Sequence, residues 1–235
     1  MHSVSPEIVF EDDDILVINK DPGMVVHPAP GHADNTIADW LRDKITNPGL
    51  FSDPLRPGIV HRLDKDTSGL LLLAKNPASE INLQKQFRKR RVHKQYHILV
   101  RGVIYQAAGS FEGAIGRSPV HFKKQCVSET GKSALTTYEV KERFTQSTWV
   151  IASPMTGRTH QLRVHFLHAG YPVLGDRQYG RSRDTDRNLY LCAAEISFTH
   201  PAHGQDMTFS IPLPDFFQKK INQLRIDTTG GYASP

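Results

Sequence analysis

Short apolar runs separated by turn signals are the feature that most restricts how this chain can fold. The runs at residues 15–18 and 70–74 have the length and aliphatic character of single buried strands. Both are far too short to cross a bilayer. Helical patterns are few and do not alternate regularly with the strands, so they do not form βαβ units. The pattern therefore predicts an α+β fold with a mixed, largely antiparallel sheet and flanking helices.

Three segments carry clear helix signals. The first begins after Asn76, a good N-cap followed by proline, and is predicted to end near Arg91. The second covers residues 157–169 and is stopped by a glycine. The third covers residues 216–224, and the residues beyond 226 are predicted to form a flexible tail.

Length, cysteine content and charge narrow the class of protein. A chain of 235 residues is predicted to form one domain over residues 1–235, with an ordered core over about residues 7–225. The two cysteines, Cys126 and Cys192, suit a reducing cytosol, and no secretory signal opens the chain, so we expect a cytoplasmic protein. The net charge of +5 suits an anionic partner, and the short apolar runs argue against a membrane partner.

The run HRLDKDTSGL at residues 61–70 is the most unusual polar segment. If it is extended, Arg62 and Asp64 point to one side and Leu63 points to the core, because side chains alternate along a strand. This places a carboxylate and a guanidinium together at the rim of a sheet. A solvated, salt-bridged turn is the alternative interpretation.

Three further segments carry reactive side chains: Lys20 in NKDPG, Tyr96 in KQY, and Arg163 in GRTHQLR. On a helix that begins near Thr159, Thr159 and Arg163 share a face. An arginine fixed on such a face could form an ion pair with Asp64. Alone, Lys20 is also explained as a turn residue and Tyr96 as a half-buried strand residue.

Taken in order, several motifs resemble the RluA-type family of pseudouridine synthases over nearly the whole chain. These motifs are HRLDKDTSGLLLLAK, KQY, ETGKSALTTYEV, GRTHQLRVH, GDRQYG and HPAHGQDMTF. The resemblance implies an isomerase that converts uridine to pseudouridine in structured RNA, with no metal or organic cofactor. It also implies a bent sheet in two lobes around a central catalytic cleft. We expect a compact member without the N-terminal S4-type domain.

The resemblance assigns a role to each matching residue. Asp64 matches the catalytic aspartate, which attacks C1′ of the ribose or removes a proton from C2′, so that the freed base turns and rejoins through C5. Tyr96 matches the tyrosine that stacks on the target base, and Arg163 the arginine that pairs with the aspartate. Arg62 matches the residue that fills the gap left in the RNA by the extruded nucleotide. Extrusion of a nucleotide from the stack costs a few kcal/mol of free energy. These four residues are predicted to line the cleft.

A wider set of cations is predicted to contact the RNA backbone. It consists of Lys20, Lys85, Arg88, Arg91, Lys123 and Lys124. For Arg88 to Arg91, stabilisation of a helix C-terminus is an equally good explanation. Overall similarity points to large-subunit ribosomal RNA or a tRNA stem-loop as the substrate.

Two other functional classes are compatible with a basic chain of this kind. A basic RNA-binding or ribosome-assembly factor could share the fold without activity, but it would have no need for Asp64, Tyr96 and Arg163 together. A metal-dependent nuclease would need clustered carboxylates with the spacing of a metal site, and no group in the sequence has that spacing. Its histidines follow no zinc motif, so no metal is expected.

Overall fold

The computed structural model describes residues 4–28, 34–180, 186 and 188–230. The chain divides into two compact units. Unit 1 contains Met1–His93 and Ala193–Ile211, and unit 2 contains Lys94–Cys192 and Pro212–Pro235. The single domain and the central cleft predicted from the sequence stay predictions.

Strands are the more numerous elements in the described part of the chain. In chain order they are β1 (Glu7–Glu11), β2 (Ile15–Lys20), β3 (Ser68–Ala74), β4 (His93–Arg101), β5 (Ala108–Glu112), β6 (Ile115–Arg117), β7 (Gln125–Val127), β8 (Leu135–Arg143), β9 (Ser147–Pro154), β10 (Leu191–Thr199) and β11 (Asp206–Ser210). The helices are α1 (Ile37–Arg42), α2 (Pro77–Arg88), α3 (Gln161–His168) and α4 (Asp215–Gly230), with a short 3-10 turn at Pro48–Leu50.

In unit 1, β1, β2 and β3 form an antiparallel array, and β11 pairs antiparallel with β10. Every residue of β3 is buried, which explains its unbroken apolar sequence. Gly69 has φ +113°, and a Cβ built on it would lie 2.2 Å from the carbonyl oxygen of Ala193. Glycine is therefore required where β3 begins, immediately after the polar turn.

Helix α2 begins as predicted and ends earlier than predicted. The Asn76 side chain accepts a hydrogen bond from the backbone N–H of Ser79, and a proline opens the first turn. The helix ends at Arg88 rather than near Arg91, because Lys89 caps it and Arg90 adopts a left-handed conformation with φ 56°. Leu83 on its inner face belongs to the apolar core of unit 1.

In unit 2, β4, β9, β8 and β5 are successive neighbours, and their pairings are antiparallel. Strands β6 and β7 form a separate hairpin. Helix α3 begins at Gln161, later than predicted, because His160 is left-handed with φ 55° and Thr159 lies outside the helix. Helix α4 extends beyond residue 226, where a tail was predicted, and residues 231–235 lie outside the described part.

The predicted α+β class with a largely antiparallel sheet is confirmed. The run that contains Arg62 and Asp64 is a loop rather than an extended strand, because in the segment before Asp64 only an isolated bridge joins Ile59 to Leu73. No helix among the described residues is long and apolar enough to cross a membrane.

Candidate active site

The Asp64 turn places its side chains as the sequence pattern predicts. The backbone N–H of Thr67 donates to the carbonyl of Asp64 at 3.1 Å, which closes a tight turn just before β3. Leu63 is buried, Arg62 is exposed and Asp64 is half-buried. The turn therefore presents a carboxylate and a guanidinium at the surface of unit 1, while Leu63 anchors the segment below.

His61 anchors the start of this segment to the sheet. Its Nε2 atom accepts a hydrogen bond from the backbone N–H of Leu72 at 2.9 Å. Its ring stacks on Phe87 of α2 with the centroids 4.7 Å apart. In this contact Nε2 is the acceptor, and the ring ties the start of the segment to β3 and α2.

Lys20 is buried beneath the turn rather than exposed to solvent. Its side chain is 0% exposed. Its ammonium donates to the carbonyls of Asp21 at 2.9 Å, Met24 at 3.2 Å and Lys65 at 2.9 Å. Burial lowers the pKa of Lys20 to about 8, and the nearby carboxylates, Asp66 and Asp64 first, oppose that shift.

These contacts give Lys20 a different role from the RNA contact predicted from the sequence. All three ammonium hydrogens are used inside the protein, so the group has none to offer a phosphate. The carbonyl of Lys65 also accepts from the backbone N–H of Gly23 at 2.8 Å. Lys20 thus joins the turn at residues 21–24 to the Asp64 turn and acts as a positioning residue.

We expect Lys20→Met to lower the rate of the reaction by at least about tenfold while RNA affinity changes less than about twofold, since only the position of Asp64 is disturbed. Single-turnover rates and RNA binding measured on the same protein check this. Lys65→Met, which removes an exposed charge from the same turn, is the matched control. If Lys20→Met instead loses RNA affinity while its single-turnover rate is unchanged, the result would support a direct contact between Lys20 and RNA.

Tyr96 lies in β4, directly opposite Ala152 of β9. It is 7% exposed, so its ring is held by packing in unit 2.

Arg163 forms a buried bidentate ion pair with Asp176, a residue that the sequence analysis did not single out. Its Nε and Nη2 atoms donate to the two carboxylate oxygens at 2.7 and 2.8 Å. Nη2 also donates to Gln178 at 3.2 Å, and the guanidinium lies 4.9 Å from the centroid of the Tyr179 ring. Within unit 2 the guanidinium is thus oriented by Asp176, and the pairing of Arg163 with Asp64 stays a prediction.

The surroundings of Asp176 stabilise its ionised, negatively charged form. Burial alone would raise its pKa, but hydrogen bonds and charge from Arg163, with the backbone N–H groups of Tyr179 and Gln178, hold that pKa below its ordinary value. Within the GDRQYG turn, the Asp176 carboxylate accepts from those two N–H groups at 2.9 Å. This turn was part of the family resemblance, and it was the signal from which Asp176 could have been found.

The start of α3 is also held by tertiary contacts. The Gln161 amide donates to the carbonyl of Leu135 and to the hydroxyl of Thr136, each at 3.0 Å. His165 bonds Thr136 at 3.0 Å through Nδ1 and the carbonyl of Gly113 at 3.3 Å through Nε2. His165 is therefore a satisfied core histidine, and burial lowers its pKa.

Lys123 and Lys124 lie at a cavity of about 630 Å³ in unit 2. Val120 and Phe122, 73% and 75% exposed, share its lining with Arg177. The Gln178 amide, which accepts from Arg163, donates to the carbonyl of Lys123 at 2.7 Å. One side chain thus links the lysine segment to the buried Arg163 and Asp176 pair.

The basic residues at the end of α2 and just beyond it separate into two groups. Lys85 and Arg91 line a second cavity, in unit 1, together with Lys89. Arg88 is exposed and is absent from that lining. The sequence placed all of these cations in one group, and the structure distinguishes them.

Comparison with known proteins assigns the chain to a protein family. The family model described as RNA pseudouridylate synthase matches residues 14–168. An uncharacterized RNA pseudouridine synthase of Bacillus subtilis, YlyB, is 41% identical over 93% of this chain and 73% of its own length. The ribosomal large subunit pseudouridine synthase D of Pseudomonas aeruginosa is 41% identical over 94% and 72%. The chain belongs to the RNA pseudouridine synthase family.

The structure of the human protein RNA Pseudouridylate Synthase Domain Containing 1 agrees with this assignment, with a TM-score of 0.72 and 28% identity over 100% of this chain and 99% of that one. The predicted membership in the RluA-type group is confirmed by the relatives named synthase D. The protein is therefore an RNA pseudouridine synthase, an isomerase. Its matched segment contains Arg62, Asp64, Tyr96 and Arg163.

Proposed function

We propose that this synthase isomerises uridines in large-subunit ribosomal RNA, with Asp64 as the catalytic carboxylate. The proposed substrate rests on the similarity to relatives named ribosomal large subunit pseudouridine synthase D, at 40% and 41% identity over more than nine-tenths of this chain. The placement of a half-buried carboxylate on a braced turn supports the choice of Asp64.

The reaction needs only the atoms of the nucleotide and one carboxylate. In one route an Asp64 oxygen bonds to C1′ as the C1′–N1 bond breaks, uracil leaves as an anion, and C5 then displaces the carboxylate. In the other, the carboxylate takes the C2′ proton as uracil leaves, which gives a C1′=C2′ double bond, and the proton returns to C2′ as C5 joins C1′. Both routes end with loss of the C5 proton and its gain at N1, so the product is an isomer of the substrate.

Each of the other residues is proposed to serve one step. The exposed Arg62 fills the gap in the RNA stack, because a long planar cation can replace the stacking of the extruded base. Tyr96 stacks on the uracil and is a candidate to accept the C5 proton. Arg163, oriented by Asp176, is proposed to pair with the Asp64 carboxylate and keep it charged as the glycosidic bond breaks.

RNA outside the target nucleotide is proposed to bind the two basic surfaces. Lys123 and Lys124 stand beside the exposed ring of Phe122, and aromatic rings next to cations are typical of sites for unpaired nucleotides. Lys85 and Arg91 supply the second surface, with Arg88 beside them. The net charge of +5 supports the same kind of partner.

Mapping pseudouridines in ribosomal RNA and tRNA from a strain that lacks this protein tests the proposal. We expect one or more positions in large-subunit ribosomal RNA to lose pseudouridine, and the wild-type gene to restore them. Loss confined to tRNA would overturn the proposed substrate and keep the reaction. If no position changes and purified protein forms no pseudouridine in transcripts, the alternative of a non-catalytic assembly factor is favoured.

A further inference from the structure

A second basic cavity in unit 1 is not explained by the chemistry at Asp64. Its volume is about 340 Å³, and it is formed by the end of α2 and by the turn that follows β10. Lys85, Lys89 and Arg91 line it, and none of its described lining residues carries a carboxylate. None of them belongs to the Asp64 turn.

The wall opposite the cations is built from hydrogen bonds rather than from a loose loop. The Gln86 side chain donates to the carbonyl of Thr199 at 2.6 Å and accepts from its N–H at 3.0 Å. The Asn82 amide donates to the carbonyl of Pro201 at 3.1 Å. Helix α2 and the turn at residues 199–204 are thus fixed to each other, so the cavity is present before any ligand arrives.

His200 holds the turn from inside. It is 2% exposed, its Nε2 donates to Asp12 at 3.0 Å, and its Nδ1 accepts from the N–H groups of Ala202 and His203 at 3.3 and 3.1 Å. Both ring nitrogens are occupied by the protein itself. His200 is therefore part of the wall and is not a group that a ligand must satisfy.

A metal ion is a poor occupant for this place, although Asp14, His200 and His203 could offer ligand atoms within 4.8 Å of one another. A ligating histidine needs a nitrogen lone pair, and the one available on His200 already accepts from two backbone N–H groups. Asp14 accepts from Asn76 and Ser79. The three exposed cations at the mouth would repel a metal ion further.

The cations are also more numerous than helix termination requires. Lys85 and Arg88 lie in the last turn of α2, where a positive charge interacts favourably with the helix dipole. Arg91 lies beyond the helix, and Arg90 occupies a left-handed position, φ 56°, at which glycine is the usual residue. The dipole therefore does not account for the basic residues that continue past the end of the helix.

We propose that this cavity binds the phosphodiester backbone of the substrate RNA at a point away from the target uridine, an inference that rests on the proposed function. Lys89 and Arg91 each contact a phosphate, with Lys85 at the edge of the cavity. Arginine and lysine at a fixed concave wall suit phosphate oxygens, and such contacts set the position of the duplex without reading its sequence. The site holds the RNA in register for Asp64 but does not take part in the chemistry.

The test compares Lys89→Gln and Arg91→Gln with Arg90→Gln, which removes the same charge from the exposed residue between them that does not line the cavity. RNA affinity is measured over a salt series with a large-subunit ribosomal RNA transcript. We expect each cavity variant to weaken binding by about fivefold or more and to reduce the slope of log affinity against log salt by roughly 0.7–0.9. Their KM should rise with kcat unchanged, and Arg90→Gln should change affinity less than about twofold.

Equal losses in all three variants would show a diffuse electrostatic effect and overturn the cavity as a site. No loss in the cavity variants would also overturn it. If inorganic phosphate binds the wild type and not Arg91→Gln while RNA binding is the same in both, the cavity takes a free anion only. A wild-type enzyme that forms no pseudouridine in any transcript would instead contradict the proposed function. The comparison of RNA affinities would still show whether the cavity binds RNA.

Discussion

Replacing Asp64 with asparagine should abolish pseudouridine formation while the protein stays folded and binds RNA within about threefold of the wild type. Asparagine keeps the shape of the side chain but is a poor nucleophile and a poor base, and loss of such a group costs at least about 10³-fold in kcat. The turn itself should survive, because the hydrogen bond that closes it joins the backbone of Thr67 to the carbonyl of Asp64. The rate of pseudouridine formation in a ribosomal RNA transcript measures the effect.

Asp66→Asn is the matched control for this variant. Asp66 is exposed, lies two residues further along the same turn, and loses the same charge. We expect its rate to stay within about threefold of the wild type, since a solvated carboxylate at the rim contributes little. Turnover by Asp64→Asn close to that of the control would overturn the assignment of Asp64 as the catalytic carboxylate.

Replacing Asp176 with asparagine should cause the largest loss of stability among the variants considered. The carboxylate is buried against Arg163 with contacts of 2.7 and 2.8 Å. Removal of the Asp176 charge breaks a buried, bidentate ion pair, which costs about 3–5 kcal/mol in free energy of unfolding at neutral pH. Activity should fall by at least about tenfold as well, because Arg163 loses its orientation.

The pH dependence of this loss follows from the lowered pKa of Asp176. The unfolded carboxyl titrates near 3.8 and the folded one below that value. The ion pair therefore contributes fully above the unfolded pKa, and the contribution is lost as pH falls through the folded pKa. The difference in unfolding free energy between the wild type and Asp176→Asn should shrink in that window.

Denaturant unfolding at neutral and acidic pH measures this difference. The exposed pair of Arg56 and Asp53, 2.7 Å apart, provides the control, and Asp53→Asn should cost less than about 1 kcal/mol. A stability loss in Asp176→Asn no larger than in the control would show that the buried pair is not required for the fold.

The sequence was most informative where a pattern is local. Apolar runs and turn residues predicted the α+β class, and Asn76 and Pro77 predicted the start of α2, because capping depends on neighbours within one turn. The alternation of Arg62, Leu63 and Asp64 predicted which side chains reach the surface. The ends of helices were less accurate, since left-handed residues at Arg90 and His160 have no reliable signal in a single sequence.

Family motifs extended the prediction to chemistry, and the comparisons confirmed the family. The motifs that contain Asp64 and Arg163 were conspicuous without any structure, because they combine charged residues with fixed neighbours. The sequence did not reveal which charged residues contact RNA and which support other residues. Lys20 is a cation of the kind that often binds phosphate, yet its three ammonium hydrogen bonds are all made inside the protein.

By itself, then, the sequence determined the fold class, the family and the motif that contains the candidate nucleophile, because these depend on local spacing and on residue identity. Only the tertiary structure decided that Lys20 braces the turn from 45 residues away and that Arg163 is oriented by Asp176, 13 residues further along the chain. It also separated the cations that line a cavity from those that do not. Such contacts are set by how distant segments pack, and burial then fixes what each charge must pair with.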